Sequence, residues 1–346
     1  MNGKSVDRTD TEVRSENLSI ELTSRCNSLC KHCFVRAGRN KKADLSPGLV
    51  LQICAEGFNA GYRHLHLTGG EPLLWQGLFE LLDRAFALGY QRVFLNSNGT
   101  LFTADAVRRL ARYDGLGVSV SLQGNATLHD HMRGQGAYRQ AAQGIAAALD
   151  AGVPVTVFAA IGKTLLDDLA AFAAHVYKEF YGLKQLILIQ MIRVKDDLYD
   201  LTRELLDPED FLRMVRMVAM LNLWGCKTGI LNDPLVNVVA EHMKMPWIPQ
   251  SYLLHRPGRL FVRATGDITL AHSTRERYGR YQPGMITKVL GSERYRMAVA
   301  AEDKVCPSCR FVVRCRANGM IRPSEQVMDM KPEVPYCQRV LTHATR

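Results

Sequence analysis

The stretch LSIELTSRCNSLCKHCF, Leu18–Phe34, joins an apolar run to three closely spaced cysteines. The run Leu18–Leu22 predicts a buried β-strand, so Cys26, Cys30 and Cys33 follow on the loop at its carboxyl end. Three soft thiolates on one short loop suit a 4Fe-4S cluster that keeps one iron open. Half of a zinc site is the alternative that three cysteines alone leave open.

Strand-like and helical patterns alternate along the chain around this stretch. The strands are predicted at Leu18–Leu22, His64–Leu67, Arg92–Asn96, Gly117–Leu122, Val153–Ala159 and Gln185–Gln190. The helices are predicted at Pro47–Ala60, Gly77–Leu88, Ala104–Tyr113, Tyr138–Ala151, Leu165–Tyr181 and Pro208–Leu223. Six successive β-α units predict an α/β fold with parallel strands and right-handed crossovers, as an open sheet or a barrel. Ligands are then expected at the carboxyl ends of the strands.

Three further motifs follow the next strands in order. TGGEP (68–72) follows the second strand, NSNGT (96–100) the third, and SVSLQG (119–124) closes the fourth. The glycines of TGGEP allow close backbone approach, and Glu71 can bind an ammonium group. With the cysteine triplet, and in this order, these motifs resemble the radical S-adenosylmethionine (radical SAM) superfamily. The resemblance covers about 18–232.

The resemblance implies a partial (β/α)6 barrel with enzymatic activity. In the family, one electron cleaves S-adenosylmethionine on the open iron to give a 5′-deoxyadenosyl radical, which abstracts a hydrogen atom from an unactivated carbon. It implies that Cys26, Cys30 and Cys33 bind this cluster. It also implies contacts with S-adenosylmethionine from Phe34, Gly70, Glu71, Asn98, Ser121 and Arg133. Gln123 stands where the family commonly has aspartate, and keeps a hydrogen-bonding group without the charge.

A second group of cysteines lies near the end of the chain, at Cys306, Cys309, Cys315 and Cys337. Its spacing suits either a structural zinc site or a second iron–sulfur cluster. The spacing resembles the SPASM/twitch-like extension of radical SAM peptide modifiers, with Ala271 and Gly319 in place of two of its cysteines. The resemblance implies one auxiliary 4Fe-4S cluster, fully ligated by these four cysteines, in a small α+β domain.

Three segments are predicted from the change of pattern near residue 245. They are an N-terminal segment 1–17, a radical SAM core 18–245, and a C-terminal domain 246–346 that carries the auxiliary cluster. Pro246, Pro249 and Pro257 interrupt the β-α pattern. RLFVRATGDITLAHS (259–273) then predicts a hairpin that turns at 264–267.

Two side chains are candidate catalytic residues. His272 follows the predicted hairpin, where related sulfatase-maturing enzymes carry an acid that deprotonates substrate, so His272 is a candidate base. The alternative is a histidine on the surface of the hairpin. Cys226 is a candidate hydrogen-atom donor, as in some radical SAM epimerases, or otherwise a small buried side chain. Because the four late cysteines indicate an electron acceptor, the sequence favours net two-electron oxidation over epimerisation.

Charge and hydropathy argue against two classes of partner, nucleic acid and membrane. The net charge is +10, and residues 251–346 hold 17 Lys or Arg against 8 Asp or Glu. No basic run is interleaved with aromatic residues, which argues against nucleic acid. The apolar runs are too short to cross a membrane, and the charged N-terminus has no signal-peptide pattern, so we expect a cytoplasmic protein.

Modification of a peptide or protein, by oxidation or crosslinking, is the favoured function. Only 25 residues precede Cys26, fewer than a leader-peptide-binding domain needs, which favours either a small-molecule substrate or a separate leader-binding protein. The family resemblance also implies a reductant such as flavodoxin or ferredoxin. One alternative is a small-molecule dehydrogenase or epimerase in natural-product or cofactor biosynthesis. Another is a non-catalytic iron–sulfur or zinc scaffold, against which the intact cysteine triplet and TGGEP argue.

Overall fold

The computed structural model describes residues 14–192, 199–251, 257–272, 276–300, 311 and 336–344. The strands are β1 Arg14–Glu21, β2 Tyr62–Thr68, β3 Arg92–Ser97, β4 Leu116–Ser121, β5 Val155–Ile161, β6 Gln185–Gln190, β7 Thr228–Leu231, β8 Leu260–Val262 and β9 Ile268–Thr269. The helices are α1 Pro47–Asn59, α2 Leu78–Leu88, α3 Ala104–Leu110, α4 Ala126–Arg133, α5 Ala137–Asp150, α6 Lys163–Asp167, α7 Leu169–Glu179, α8 Pro208–Leu223, α9 Leu235–His242, α10 Met285–Leu290, α11 Glu293–Ala300 and α12 Tyr336–Ala344.

Within these residues the strands form one sheet, in the order β7-β6-β5-β4-β3-β2-β1-β8-β9. All neighbouring strands from β7 to β8 are parallel, and β9 alone runs antiparallel to its neighbour. Strand β1 lies inside the sheet, because Ile20 pairs with Leu67 on one side and with Val262 on the other. The predicted α/β class with parallel strands is confirmed.

Alternate residues of each strand face two different environments. Leu18 and Ile20 of β1 are fully buried, as are Leu65 and Leu67 of β2, and they belong to the core formed with the helices. Residues of opposite parity, such as His66, line a cavity instead. Residues from β2, β3, β4, β5 and β6 all contribute to this one cavity, so the sheet curves around it as a partial barrel does.

Close packing holds the first helix against the first strand. Ser46 caps α1 by accepting a hydrogen bond from the backbone N–H of Leu49 at 3.4 Å, and Pro47 begins the helix. A Cβ atom on Gly57 would lie 2.4 Å from Cδ2 of Leu18. Only glycine therefore allows α1 to approach β1 this closely.

The predicted elements of the core are largely confirmed, with three differences. The predicted helix Leu165–Tyr181 is two helices, α6 and α7, which meet at Asp168. The predicted strand Val153–Ala159 starts later, because the N–H of Val153 still bonds the helical carbonyl of Ala148 at 2.9 Å. Elements β7, α9 and α4 were not predicted from the sequence.

The sheet continues past the predicted boundary at residue 245. The hairpin of β8 and β9 is confirmed, and β8 pairs with β1. Glu56 of α1 accepts hydrogen bonds from the N–H groups of Gly284 (3.0 Å) and Ile286 (2.7 Å), and so caps α10. Helix α12 packs against α8. The division into 1–17, 18–245 and 246–346 stays a prediction.

None of the helices in the described part of the chain is both long enough and apolar enough to span a bilayer.

Candidate functional site

A cavity of about 520 Å³ lies on the inner face of the curved sheet. Its walls are the inner side chains of the strands, and its rim includes the loops at their carboxyl ends. All three early cysteines and the TGGEP and NSNGT loops contribute residues to it. The position agrees with the expectation that ligands of parallel sheets bind at the carboxyl ends of the strands.

The loop after β1 brings Cys26, Cys30 and Cys33 to this cavity. Cys26 is 7% exposed, and its N–H bonds the carbonyl of Gly38 at 3.3 Å, so the loop folds back on itself. Burial raises the pKa of the Cys26 thiol to about 11, and it also raises the pKa of Cys33. Buried thiols of this kind ionise when a cation offsets the charge, so three thiols at one cavity are chemically suited to an iron–sulfur cluster. In the described part of the chain their sulfurs are not yet gathered into a group that could hold a metal ion.

The TGGEP loop lies directly against the cysteine loop. The N–H of Gly70 donates to the carbonyl of Thr23 at 2.7 Å, and the N–H of Glu71 donates to the carbonyl of Arg25 at 2.8 Å. A Cβ atom on Gly70 would lie 2.0 Å from that Arg25 oxygen, so the close approach requires glycine. Gly70 lines the cavity, as predicted for a contact with S-adenosylmethionine.

Glu71 is placed differently from its predicted contact with an ammonium group. Its side chain is fully buried and is not among the described residues that line the cavity. The carboxylate accepts hydrogen bonds from the N–H of Leu73 (3.2 Å), the hydroxyl of Ser97 (2.9 Å) and the N–H of Asn98 (2.8 Å). Burial nevertheless raises the pKa of Glu71 to about 7. The geometry therefore supports a role in positioning the NSNGT loop.

Asn98 connects the NSNGT loop to the cysteine loop. Its Nδ2 donates to Oδ1 of Asn27 at 2.8 Å and lies 3.8 Å from Sγ of Cys26. Its Oδ1 accepts the N–H of Thr100 at 2.9 Å, which fixes the orientation of the amide. Asn98 lines the cavity, so it is available to a ligand there.

Ser121 and Arg133 lie on the side of the cavity formed by β4 and α4. The guanidinium of Arg133 lies 3.6 Å from Sγ of Cys30 through Nη1 and 3.2 Å from Nε2 of His32 through Nη2. The buried Nε of Arg133 has no hydrogen-bond partner in the described part of the chain. Gln123, by contrast, pairs its amide with the backbone of Ala160.

Phe34 and His272 pack together in the wall of the cavity. Their rings lie 5.5 Å apart in an edge-to-face arrangement, and the ring of Phe261 lies 3.9 Å from that of His272. Burial lowers the pKa of His272 well below its usual value, so the imidazole is neutral. His272 is half-buried and lines the cavity, which argues against a histidine on the outer surface of the hairpin.

The structure places Cys226 outside the cavity. It lies two residues before Thr228, the first residue of β7, and therefore at the amino edge of the sheet. The cavity is lined instead by Leu231, Asn232 and Asp233, at the carboxyl end of the same strand. The hypothesis that Cys226 donates a hydrogen atom has no geometric support, because the length of β7 separates Cys226 from the cavity. This strand was not predicted from the sequence.

The predicted auxiliary cluster lies mostly outside the described residues. Cys306, Cys309 and Cys315 are not described, and Cys337 lies half-buried in α12, where it packs against the core. One cluster, or zinc in its place, stays a prediction.

Comparisons with known proteins bear on both the domain and the fold. The sequence profile of the radical SAM superfamily matches residues 20–175. Mycofactocin maturase MftC of Mycolicibacterium smegmatis is 30% identical over 159 residues, which are 45% of this chain and 40% of that protein. Sporulation killing factor maturation protein SkfB of Bacillus subtilis is 28% identical over 153 residues, 44% of this chain and 37% of that protein. The match thus spans about two fifths of these curated relatives.

Among solved structures, that of anSMEcpe with bound AdoMet and the Kp18Cys peptide superposes with a TM-score of 0.72. It covers 95% of each chain at 15% sequence identity. A likeness at this identity shows that the two chains share a fold and nothing more.

Proposed function

We propose that this chain, whose residues 20–175 match the radical SAM superfamily, is an enzyme that modifies a peptide or protein. One observation carries the proposal: three cysteine thiols line the same cavity as a glycine-rich loop, an asparagine and an arginine. Such a cavity has thiols for a cluster and polar groups for a charged cofactor. Maturases among the curated relatives support a peptide substrate.

Cys26, Cys30 and Cys33 are the residues we propose to hold a 4Fe-4S cluster. Three thiols leave one iron without a protein ligand, which is the open position that catalysis needs. When bound, the cluster and S-adenosylmethionine supply one-electron cleavage of the sulfonium and abstraction of a hydrogen atom from the substrate. The guanidinium of Arg133, 3.6 Å from Sγ of Cys30, is placed to offset the negative charge of the thiolates.

S-adenosylmethionine is proposed to bind beside these cysteines. Gly70 lets the cofactor approach the backbone, and Asn98 and Ser121 present polar groups to the same space. Arg133 supplies a cation for a carboxylate, and Phe34, 37% exposed, supplies a ring face for the adenine. Glu71 acts behind this surface by holding Asn98.

The reaction is proposed to oxidise or crosslink the peptide. Cys306, Cys309, Cys315 and Cys337 are proposed to hold an auxiliary 4Fe-4S cluster, and four thiolates around one cluster suit electron transfer. Either product requires the removal of two electrons and two protons from the substrate. A leader-binding protein is proposed as a separate partner.

A low-potential flavodoxin or ferredoxin is the proposed reductant, and the charge of the cysteine loop supports it. Residues 24–43 carry six Lys or Arg and no Asp or Glu. Arg36, Arg39, Lys41 and Lys42 are exposed around the cysteines. A basic surface attracts an acidic electron carrier and places it near the cluster.

Anaerobic reconstitution with iron and sulfide tests the function. The reconstituted chain and dithionite should convert S-adenosylmethionine to 5′-deoxyadenosine, and a substrate peptide incubated with it should lose two mass units. If no 5′-deoxyadenosine is formed, the alternative of a non-catalytic iron–sulfur or zinc scaffold is favoured. Cleavage with no change in any peptide, together with oxidation or inversion of a small molecule, would favour the alternative substrate class.

A further inference from the structure

One wall of the cavity carries ionisable side chains that no role above uses. It lies where β8, β1 and β2 meet, with Ser19 paired to Phe261 on one side and to His66 on the other. Arg259 immediately precedes β8 and lines the cavity together with His66 and His272. Strand β1 separates β2 from β8, so His66 and the start of β8 lie about 10 Å apart across the sheet. His66 and Arg259 are both close enough to His272 to act on its charge, so the three groups face one region of the cavity.

His66 is held in place by its neighbours on the inner face. Its Nδ1 lies 3.2 Å from Oγ of Ser19, and the side chain of Asn96 bonds it from β3. Burial, and to a smaller extent the charge of Arg259, together lower the pKa of His66 to about 4. The imidazole is thus neutral, fixed and next to a cation.

His272 has an unused hydrogen-bonding atom in this wall. Its Nε2 is buried and has no hydrogen-bond partner among the described residues. The ring is clamped against Phe261 at 3.9 Å, and Arg263 donates to its carbonyl at 2.8 Å. A buried polar atom without a partner is costly, and a ligand in the cavity would satisfy it.

The charges around the wall are mainly positive. Arg259 and Arg263 both act on His272. Among the described residues, Glu21 is an acid close to the wall; it accepts the N–H of Ala264 at 3.1 Å, lies beside Arg263, and does not line the cavity. Asp233 does line the cavity, and its carboxylate accepts a hydrogen bond from Gln190, on the side of β6 and β7.

We infer that His66, Arg259 and His272 form a subsite for an anionic group of the substrate, with a carboxylate as the favoured group. Arg259 supplies the charge, His272 supplies a hydrogen bond through Nε2, and the neutral ring of His66 completes the wall beside them. This inference rests on the proposed function and names what part of the peptide enters the cavity: an acidic side chain or a terminal carboxylate.

Binding of an anion in this wall should favour protonation of the neighbouring imidazole. A neutral imidazole beside a carboxylate gains an opposite charge, which favours the protonated ring. His272 would then take up a proton and donate it in a hydrogen bond through Nε2. A donor of this kind is distinct from the base that the sequence suggested, and the two roles predict different titrations.

The test uses the full chain with its reconstituted, oxidised cluster and saturating S-adenosylmethionine, so that the cofactor's own carboxylate is already bound. Propionate and propionamide, which share size and shape, are titrated against protein with ¹³C-labelled histidine rings. The rings are assigned with His66→Asn and His272→Gln. Propionate should shift the signals of both rings and raise the pKa of His272 by at least about one unit. Propionamide should leave them in place.

Substitution of the cation provides the second arm. Arg259→Gln should lower the propionate affinity about tenfold or more. Two matched controls should leave the propionate affinity unchanged. Arg92→Gln lies on the same face of the sheet but at its exposed amino edge, and His64→Asn lies two residues from His66. Should Arg259→Gln fail to fold, the unsubstituted chain still decides, because it should bind propionate and should not bind the uncharged propionamide.

Inorganic phosphate forms a third arm. Tighter binding of phosphate than of propionate, through the same rings and Arg259, supports the anion subsite and identifies a phosphoryl group as its ligand. Equal binding of propionate and propionamide, or unchanged propionate affinity in Arg259→Gln, would overturn the inference. If propionate leaves the pKa of His272 unchanged, His272 does not donate a proton to the anion, and its role as a base is favoured instead. Formation of 5′-deoxyadenosine is measured separately, so failure here leaves the proposed function standing.

Discussion

The backbone N–H of Asn98 donates a 2.8 Å hydrogen bond to the carboxylate of Glu71. This bond joins the loop after β2 to the loop after β3, and the amide of Asn98 in turn bonds Asn27 on the cysteine loop. Three loops from three strands thus share one hydrogen-bonded network beneath the cavity. The carboxylate of Glu71 is its buried end.

Glu71→Gln should lower the free energy of unfolding by about 1–3 kcal/mol, because an amide offers one accepting oxygen where two are used and leaves a buried N–H unpaired. Affinity for S-adenosylmethionine should fall through displacement of Asn98, with iron content unchanged. Urea unfolding and equilibrium binding measure the two effects. Glu80→Gln, on the exposed face of α2, is the control. Unchanged stability and affinity would contradict the positioning role.

The cost of Glu71→Gln should also depend on pH. The pKa of Glu71 is raised from 4.5 to about 7, so the folded chain keeps a proton between these values that the unfolded chain has lost. Stability from this group is therefore greatest below pH 4.5 and is lost as pH rises through 7. Between pH 6 and 8.5 the stability difference between the two proteins should shrink by about 1 kcal/mol. A constant difference would contradict the raised pKa.

Arg133→Gln should weaken binding of S-adenosylmethionine about tenfold or more, since it removes the cation proposed for the carboxylate. The cluster should still assemble, because the contact with Cys30 is made through a nitrogen that is not an iron ligand. Isothermal titration and iron analysis separate the two outcomes. Arg139→Gln, exposed on α5, is the matched control. Equal losses in both variants would argue against a specific contact.

Reconstitution should give about eight irons and eight sulfides per chain, from two four-iron clusters. Replacing Cys26, Cys30 and Cys33 with alanine should halve the iron and abolish formation of 5′-deoxyadenosine. Replacing Cys306, Cys309 and Cys315 should also halve it but keep that activity. Zinc in place of the second four irons would show the late cysteines to be a structural metal site.

Charge reversal on the cysteine loop should slow reduction by a protein donor. Arg39→Glu with Lys41→Glu should weaken the binding of an acidic ferredoxin, measured with its redox-inert gallium form. In the unsubstituted chain, reduction by ferredoxin should become slower as the salt concentration rises. Reduction by dithionite should not change. Lys184→Glu with Lys227→Glu, at the amino edge of the sheet, is the control. Equal effects of both pairs would exclude a specific docking surface.

Cys226→Ala should keep most of the turnover, because Cys226 lies at the amino edge of the sheet. In deuterated water the product should acquire no solvent deuterium at the reacting carbon, as expected for net oxidation. Cys54→Ala, which alters the buried core behind β1, controls for loss of stability alone. One fixed deuterium that disappears in Cys226→Ala would instead make the protein an epimerase.

The sequence predicted most of the core because each strand alternates between two environments. Leu18 and Ile20, beneath helices, form an apolar period that is visible in the sequence. Element β7 escaped prediction because Thr228–Leu231 is only four residues long and three of them are buried, so no alternation is visible. Helix α4 escaped because its polar sequence ATLHDHMR lacks an apolar stripe, although Asn125 caps it.

Site residues could be predicted where a motif fixes the course of the backbone. They were harder to predict where tertiary packing determines the direction of the side chain. Gly70 was identified from TGGEP, and its close approach to Arg25 explains why glycine is needed. The motif could not show that the Glu71 side chain turns away from the cavity, since this depends on donors from β3. His66 and Arg259 were missed because they come together only through the pairing of β1 with β2 and β8.

The pairing of β1 with β8 has a consequence for synthesis on the ribosome. Strand β1 leads into the three cysteines, yet its second neighbour, Leu260–Val262, emerges roughly 240 residues later. At translation rates of about 5–20 residues per second, the nascent chain carries an open strand edge for roughly 10–50 s. Wall residues from β8 are missing throughout that time. Iron and sulfide are therefore expected to be delivered after β8 has been synthesised.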